Sequence, residues 1–147
     1  MTDPPVRLDH ASLAVTDLDA AIGFFSEGLG LTLAFQERGM TDQIASMLGR
    51  PGATCDLAQL VIPGTEARLE VIAFHGHPAP GEPAPITPGQ GHTAFRVAGF
   101  DVVVARLERL GATRLGAVTE FSDGRSVYLI TPVGAVIEIE EDRGVTR

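Results

Sequence analysis

A single cysteine in 147 residues, Cys55, leaves nothing for an internal disulfide, a thiolate zinc site or a redox pair, and fits a reducing compartment. Basic residues are also scarce. Eleven of them against nineteen acidic ones give a net charge of −8, without the positive footprint that gathers nucleic-acid phosphates. The same balance gives an anionic substrate no long-range attraction, so its capture needs a locally placed arginine. No apolar run approaches the ~18 residues of a membrane span. The start, Met1-Thr2-Asp3-Pro4-Pro5, has neither the basic residues nor the apolar stretch of a secretory leader. Together these absences predict a soluble, cytoplasmic protein with neither nucleic acid nor membrane as partner. A chain of this length forms one domain, 1–147, or two small halves that share a core.

What is present is an internal repeat. Advancing the numbering by 82 carries His10 onto His92, Val15 onto Val97, Asp19 onto Asp101, Ile22 onto Val104 and Phe25 onto Leu107. Advancing it by 68 carries Ala67, Leu69, Glu70 and Val71 onto Ala135, Ile137, Glu138 and Ile139. Each half therefore opens on a histidine and closes on a glutamate. Residues 8–15 alternate like a strand with one buried face. After them Leu18, Ala21, Ile22, Phe25 and Leu29 form one helical stripe, with Thr16 as the expected N-cap and Gly30 as the stop. The second half repeats this with Thr93, Phe95 and Val97, then Phe100, Val103, Val104, Leu107 and Leu110 before Gly111. Further strands are expected over 32–37, 54–62 and 67–74, and over 114–120, 127–130 and 135–140.

The fold class is thus α+β: two βαβββ modules, 6–75 and 91–142, forming a cupped mixed β-sheet with the helices packed on its outer face. A linker rich in proline and glycine, 76–90, joins them. Residues 40–52 read as an extra short helix in the first module only. It is either a lid or partner surface, or a connection that packs Ile44, Met47 and Leu48 on the core. His75 and His77, at the linker's start, read as exposed linker rather than a second metal site.

Strand alternation then selects a face. With Leu13, Val15, Leu69, Val71, Phe95, Val97, Ile137 and Ile139 turned to the helices, His10, Ser12, Glu70, His92 and Glu138 turn to the opposite side. Two imidazoles and two carboxylates, His10, Glu70, His92 and Glu138, are a donor set for one divalent ion such as zinc, nickel, cobalt, manganese or iron(II). Arg68, Arg96 and Arg125 are candidate anchors for a carboxylate or phosphate. Tyr128 and Ser12 complete the candidate substrate-binding residues.

The repeat and these positions resemble the vicinal oxygen chelate superfamily, which includes glyoxalase I, methylmalonyl-CoA epimerase, extradiol dioxygenases and the fosfomycin and bleomycin resistance proteins. The resemblance spans about 8–141. It is carried by Leu8-Asp9-His10-Ala11-Ser12-Leu13-Ala14-Val15, Leu69-Glu70-Val71, Gly91-His92-Thr93-Ala94-Phe95-Arg96-Val97 and Ile137-Glu138-Ile139. The turn Pro132-Val133-Gly134 departs from the family's Asp-Pro-Asp-Gly form. The resemblance implies a metal-dependent, glyoxalase-like lyase, isomerase or epimerase that moves a proton on a small oxygenated substrate, with Glu138, or else Glu70, as the catalytic base. A glutamate at position 70 is shared with glyoxalase I, whereas the epimerases carry glutamine there. The alternatives it implies are a bleomycin-resistance-type binding protein and an extradiol-type dioxygenase using His10, His92 and Glu138. It also implies a homodimer, with the four ligands drawn from one chain or from two.

Overall fold

In the computed structural model, which describes residues 4–76 and 81–144, the first half of the repeat runs β1 (Ala11–Ala14), α1 (Leu18–Leu29), β2 (Thr32–Met40), α2 (Asp42–Leu48), β3 (Thr54–Val61) and β4 (Arg68–His75). The second runs β5 (Thr93–Val97), α3 (Phe100–Arg109), β6 (Thr113–Arg114), β7 (Thr119–Phe121), β8 (Gly124–Ile130) and β9 (Val136–Glu141). His77 lies outside the described residues. Between the halves, residues 81–90 form neither helix nor strand.

Local chemistry explains the helix limits. Asp17, in extended backbone, accepts the Ala20 N–H at 2.7 Å and caps α1. The cap therefore falls one residue beyond Thr16, whose own N–H is engaged by Val133 O at 3.0 Å in the other module. Gly30, at φ +73°, closes α1 in the left-handed conformation that suits glycine. In α2 only Ile44 is buried; Met47 and Leu48 are exposed, so the connection packs one of its three apolar side chains rather than all of them. The strand expected over 114–120 is split in two, β6 and β7, around Gly116.

Two mixed sheets result. The first has the order β1-β4-β3-β2, and the second β5-β9-β8-β6 with β7 also paired to β8. In each, the strand bearing the histidine end runs parallel to the strand bearing the glutamate, and the remaining pairings are antiparallel. β1 and β5 are edge strands, so the cupped sheet is built as two half-sheets, each with the strand that follows its histidine at one edge.

The halves are joined through their helix-side faces. Leu69 and Val71 of one sheet and Ile137 and Ile139 of the other belong to one buried cluster with Phe25 of α1 and Leu107 of α3. Phe25 also meets Phe95 of β5, with ring centroids 6.2 Å apart. The helices approach closely because Gly28 has no side chain: a Cβ there would stand 2.5 Å from Leu107 Cδ2. Each module on its own would leave this surface in water. Leu107→Ala is therefore expected to lower the free energy of unfolding by about 2–5 kcal/mol. Val102→Ala, on the exposed side of α3, should change it by less than about 0.5 kcal/mol in the same denaturant titration.

Candidate functional site

The face opposite α1 and α3 can be read row by row from strand register. In the first sheet Ser12, Glu70, Gln59 and Phe35 lie side by side on β1, β4, β3 and β2. In the second, Ala94, Glu138 and Tyr128 occupy the corresponding row on β5, β9 and β8. Both glutamates are thus on the cup face, and each is mostly buried beside a histidine from the same half.

In the first half His10 Nε2 lies 3.5 Å from Glu70 Oε2, and Ser12 Oγ donates to Glu70 Oε1 at 3.0 Å. His10 Nδ1 meets Asp9 Oδ2 at 2.6 Å. A carboxylate there selects the tautomer with the proton on Nδ1 and leaves the Nε2 lone pair facing Glu70. In the second half His92 Nε2 lies 3.0 Å from Glu138 Oε2, and Ser126 Oγ donates to Glu138 Oε1. The edge of the His92 ring packs against Tyr128, with centroids 4.7 Å apart.

Each half therefore holds one imidazole nitrogen and one carboxylate oxygen about as far apart as two neighbouring ligands on one ion, since donors bonded at about 2.1 Å and at right angles are about 3 Å apart. The donor chemistry fits a divalent ion, with two neutral nitrogens and two oxygens that carry negative charge. Among the described residues, however, no three histidine, cysteine, aspartate or glutamate side chains gather as one metal-holding group. The structure brings His10 to Glu70 and His92 to Glu138, and within the chain it leaves these as two pairs.

The candidate anchors differ from one another. Arg96, on the cup face, pairs with Glu140 at 3.1 Å and with Asp123 at 3.9 Å. Arg125 shares its strand parity with the helix-packed Val127 and Leu129. Its guanidinium binds Asp101 at 2.9 Å and Glu141 at 2.8 Å and lies over the Phe100 ring at 4.7 Å. It joins α3 to the sheet and is not brought to the histidine–glutamate pairs. Arg68 donates to Gln59 Oε1 at 3.2 Å. His75 ends β4 and pairs with Asp56 at 3.1 Å, away from the cup.

Two residues that brace the pairs, Asp9 and Ser126, were not selected from sequence. Asp9 adjoins His10, and Ser126 alternates with Tyr128, so the cup face of β8 was legible. Which glutamate accepts from Ser126 depends on β8–β9 pairing, which no local pattern states. Two cavities adjoin the pairs. One, of about 160 Å³, is bordered by Ser126, Glu138, Glu140 and Asp123. The other, of about 640 Å³, lies among β1, the linker and the start of β5 and is bordered by Ser12 and His92, one from each half.

Among the described residues no helix is long and apolar enough to cross a membrane. The family model of the Glyoxalase/Bleomycin resistance protein/Dioxygenase superfamily matches residues 7–139. A glyoxalase family protein from Bacillus cereus is similar in structure over 95% of each chain, with 28% identity and a TM-score of 0.81. The fosfomycin resistance protein FosX from Listeria monocytogenes, solved as a mutant with Mn(II) and 1S,2S-dihydroxypropylphosphonic acid, shares the fold. Its identity is 18% over 93% of each chain, and its TM-score is 0.63. So does TnmS3, an antibiotic binding protein from Streptomyces sp. CB03234, at 18% identity over 96% of this chain and 99% of that one, with a TM-score of 0.63. Among curated proteins none matches significantly.

The ion pairs at the far end of β9 carry a pH dependence. Arg125, whose guanidinium and backbone N–H both donate to the Glu141 carboxylate, holds that carboxyl down from 4.5 to about 2. A depressed carboxylate contributes stability above its unfolded value and loses it as pH falls through the folded one. Glu141→Gln should thus reduce the melting temperature at neutral pH and flatten the loss of stability between pH 4.5 and about 2; an unchanged acid limb in scanning calorimetry would contradict this.

Proposed function

The chain belongs to the Glyoxalase/Bleomycin resistance protein/Dioxygenase superfamily, and from that premise we propose a divalent-metal-dependent enzyme that moves a proton on a small oxygenated substrate, as a lyase, isomerase or epimerase. The observation that carries this reading is the twinned arrangement of a histidine Nε2 against a glutamate Oε2, each glutamate held by a serine hydroxyl. His10, Glu70, His92 and Glu138 would hold the ion. Bound there, a divalent ion supplies Lewis-acid stabilisation of negative charge developing on a substrate oxygen, which eases removal of a neighbouring proton.

The protein groups divide the remaining work. Asp9 keeps His10 in the tautomer that presents Nε2. Glu138 is the base, because a cavity on the cup face adjoins it and gives a substrate proton access to its carboxylate. Glu70, braced by Ser12 as Glu138 is by Ser126, stays as a ligand. Tyr128, packed on the His92 ring and partly exposed, forms a wall of the substrate site.

The two half-sites become one centre in a homodimer. The pairs stand separately within a chain, and β1 and β5 each leave an edge unpaired. Such edges are covered in native proteins, and in a two-fold dimer each β1 can meet the partner's β5.

Protein purified without added metal should carry stoichiometric divalent ion by elemental analysis, and nickel, cobalt or manganese should raise its melting temperature. Both effects should vanish in His10→Ala/Glu138→Gln. Absence of metal in the wild-type protein, with no thermal response, would instead favour a binding protein of the kind that TnmS3 is. The arrangement between chains has its own test. A His10→Ala/Glu70→Gln chain and a His92→Ala/Glu138→Gln chain should each be inactive, and after refolding together should regain about a quarter of the sites. Half of randomly formed dimers are mixed, and each mixed dimer has one intact centre. No recovery would place all four ligands in one chain.

A further inference from the structure

All eleven basic side chains are arginines, and those near the cup differ in what compensates them. Arg96 faces Glu140, and Arg125 faces Asp101 and Glu141, so two of the three candidate anchors have carboxylate partners. Arg68 has a neutral one: its Nη1 donates to the Gln59 amide oxygen at 3.2 Å. Among the described residues no carboxylate forms an ion pair with it.

Its location gives that charge a use. Arg68 opens β4 two residues before Glu70 and so shares the cup face, about 7 Å along the strand. On β1 the residue preceding the Ala11–Leu69 pair is His10, so Arg68 stands at the His10 level of the sheet. Gln59 is paired in register with Glu70, so the hydrogen bond draws the guanidinium from its own row towards the row of the metal-ligand candidates. A guanidinium presents a planar set of donors matched to a carboxylate, and five N–H groups leave it free to bind one while still holding Gln59.

Resting on the metal-dependent reading above, we propose that Arg68 is the specificity residue of this site and selects substrates bearing a carboxylate a few bonds from the pair of oxygens that meet the metal. Gln59 is its positioning partner. Arg96 and Arg125, already compensated, do not make this selection. The acidic protein thereby recognises an anionic group by one local, preoriented charge instead of by its overall field.

Two 2-oxo acids with the same chelating end test this by calorimetric titration of the manganese-loaded dimer. 2-Oxoglutarate has a second carboxylate, and 2-oxopentanoate ends in a methyl group. Wild-type protein should bind 2-oxoglutarate about tenfold or more tightly than 2-oxopentanoate. Arg68→Gln should abolish that difference while leaving 2-oxopentanoate affinity unchanged, and Arg68→Lys should retain only part of it. Gln59→Leu should lower affinity for 2-oxoglutarate alone. Equal binding of both acids by the wild type, or a preference that survives Arg68→Gln, overturns the assignment. The same titration without manganese separates this outcome from failure of the broader reading: if 2-oxopentanoate binds no better with metal than without, the metal-dependent function falls, and the Arg68 proposal with it. Unchanged melting of each variant establishes that the substitutions at exposed Arg68 and part-buried Gln59 leave the fold intact.

Discussion

Alternation along β4 and β9 is the constraint from which the rest of this structure follows. Leu69 and Val71, and their counterparts Ile137 and Ile139, are held against the helices in the shared core. A strand places successive side chains on opposite faces, so burying these residues obliges Glu70 and Glu138 to face the cup. A register slip of one residue would expose four apolar side chains and bury two carboxylates without partners, a change costly on both sides. The core therefore fixes where the acidic chemistry stands, and helices remote from the site help to position it.

The carboxylates on the cup face are braced differently in the two halves, which breaks the symmetry of the repeat. Ser12 comes from β1, the edge strand beside Glu70, whereas Ser126 comes from β8, on the other flank of Glu138. At the positions equivalent under the repeat stand Ala94 and, on β3, Leu57. The same departure continues away from the row of Glu70 and Glu138. Ile72, Leu57 and Cys55 form a buried apolar patch under Ile44 of α2, while Arg96, Glu140 and Ser126 make the corresponding surface of the second module polar. The two halves of the cup are thus unlike: an apolar patch closed over by α2 in the first and a charged surface in the second.

Charge is managed locally throughout. In a chain with a net charge of −8, most arginines near the sheets are committed to carboxylates. Arg125 shows the purpose: it ties Asp101, in the first turn of α3, to Glu141 at the end of β9 and packs over Phe100. That cluster anchors α3 to its sheet. Family membership fixes the fold, yet solved structures sharing it include a manganese-bound resistance protein and an antibiotic binder, so the fold by itself does not specify a chemistry.

The sequence by itself determined the repeat, the βαβββ order of each half, the helical stripes and the face on which His10, Glu70, His92 and Glu138 stand. All of these are periodic or local, set by residues a few positions apart and by the geometry of one helix or strand. Only the tertiary structure decided that Ser126 holds Glu138, that Arg125 turns to α3 while Arg68 rests on Gln59, and that the four ligand candidates form two pairs within a chain. Each of these depends on which groups from distant segments meet. Pairing register and helix placement are set by packing over the whole core, and a neighbour 24 residues away, as Asp101 is to Arg125, leaves no periodic trace in the chain.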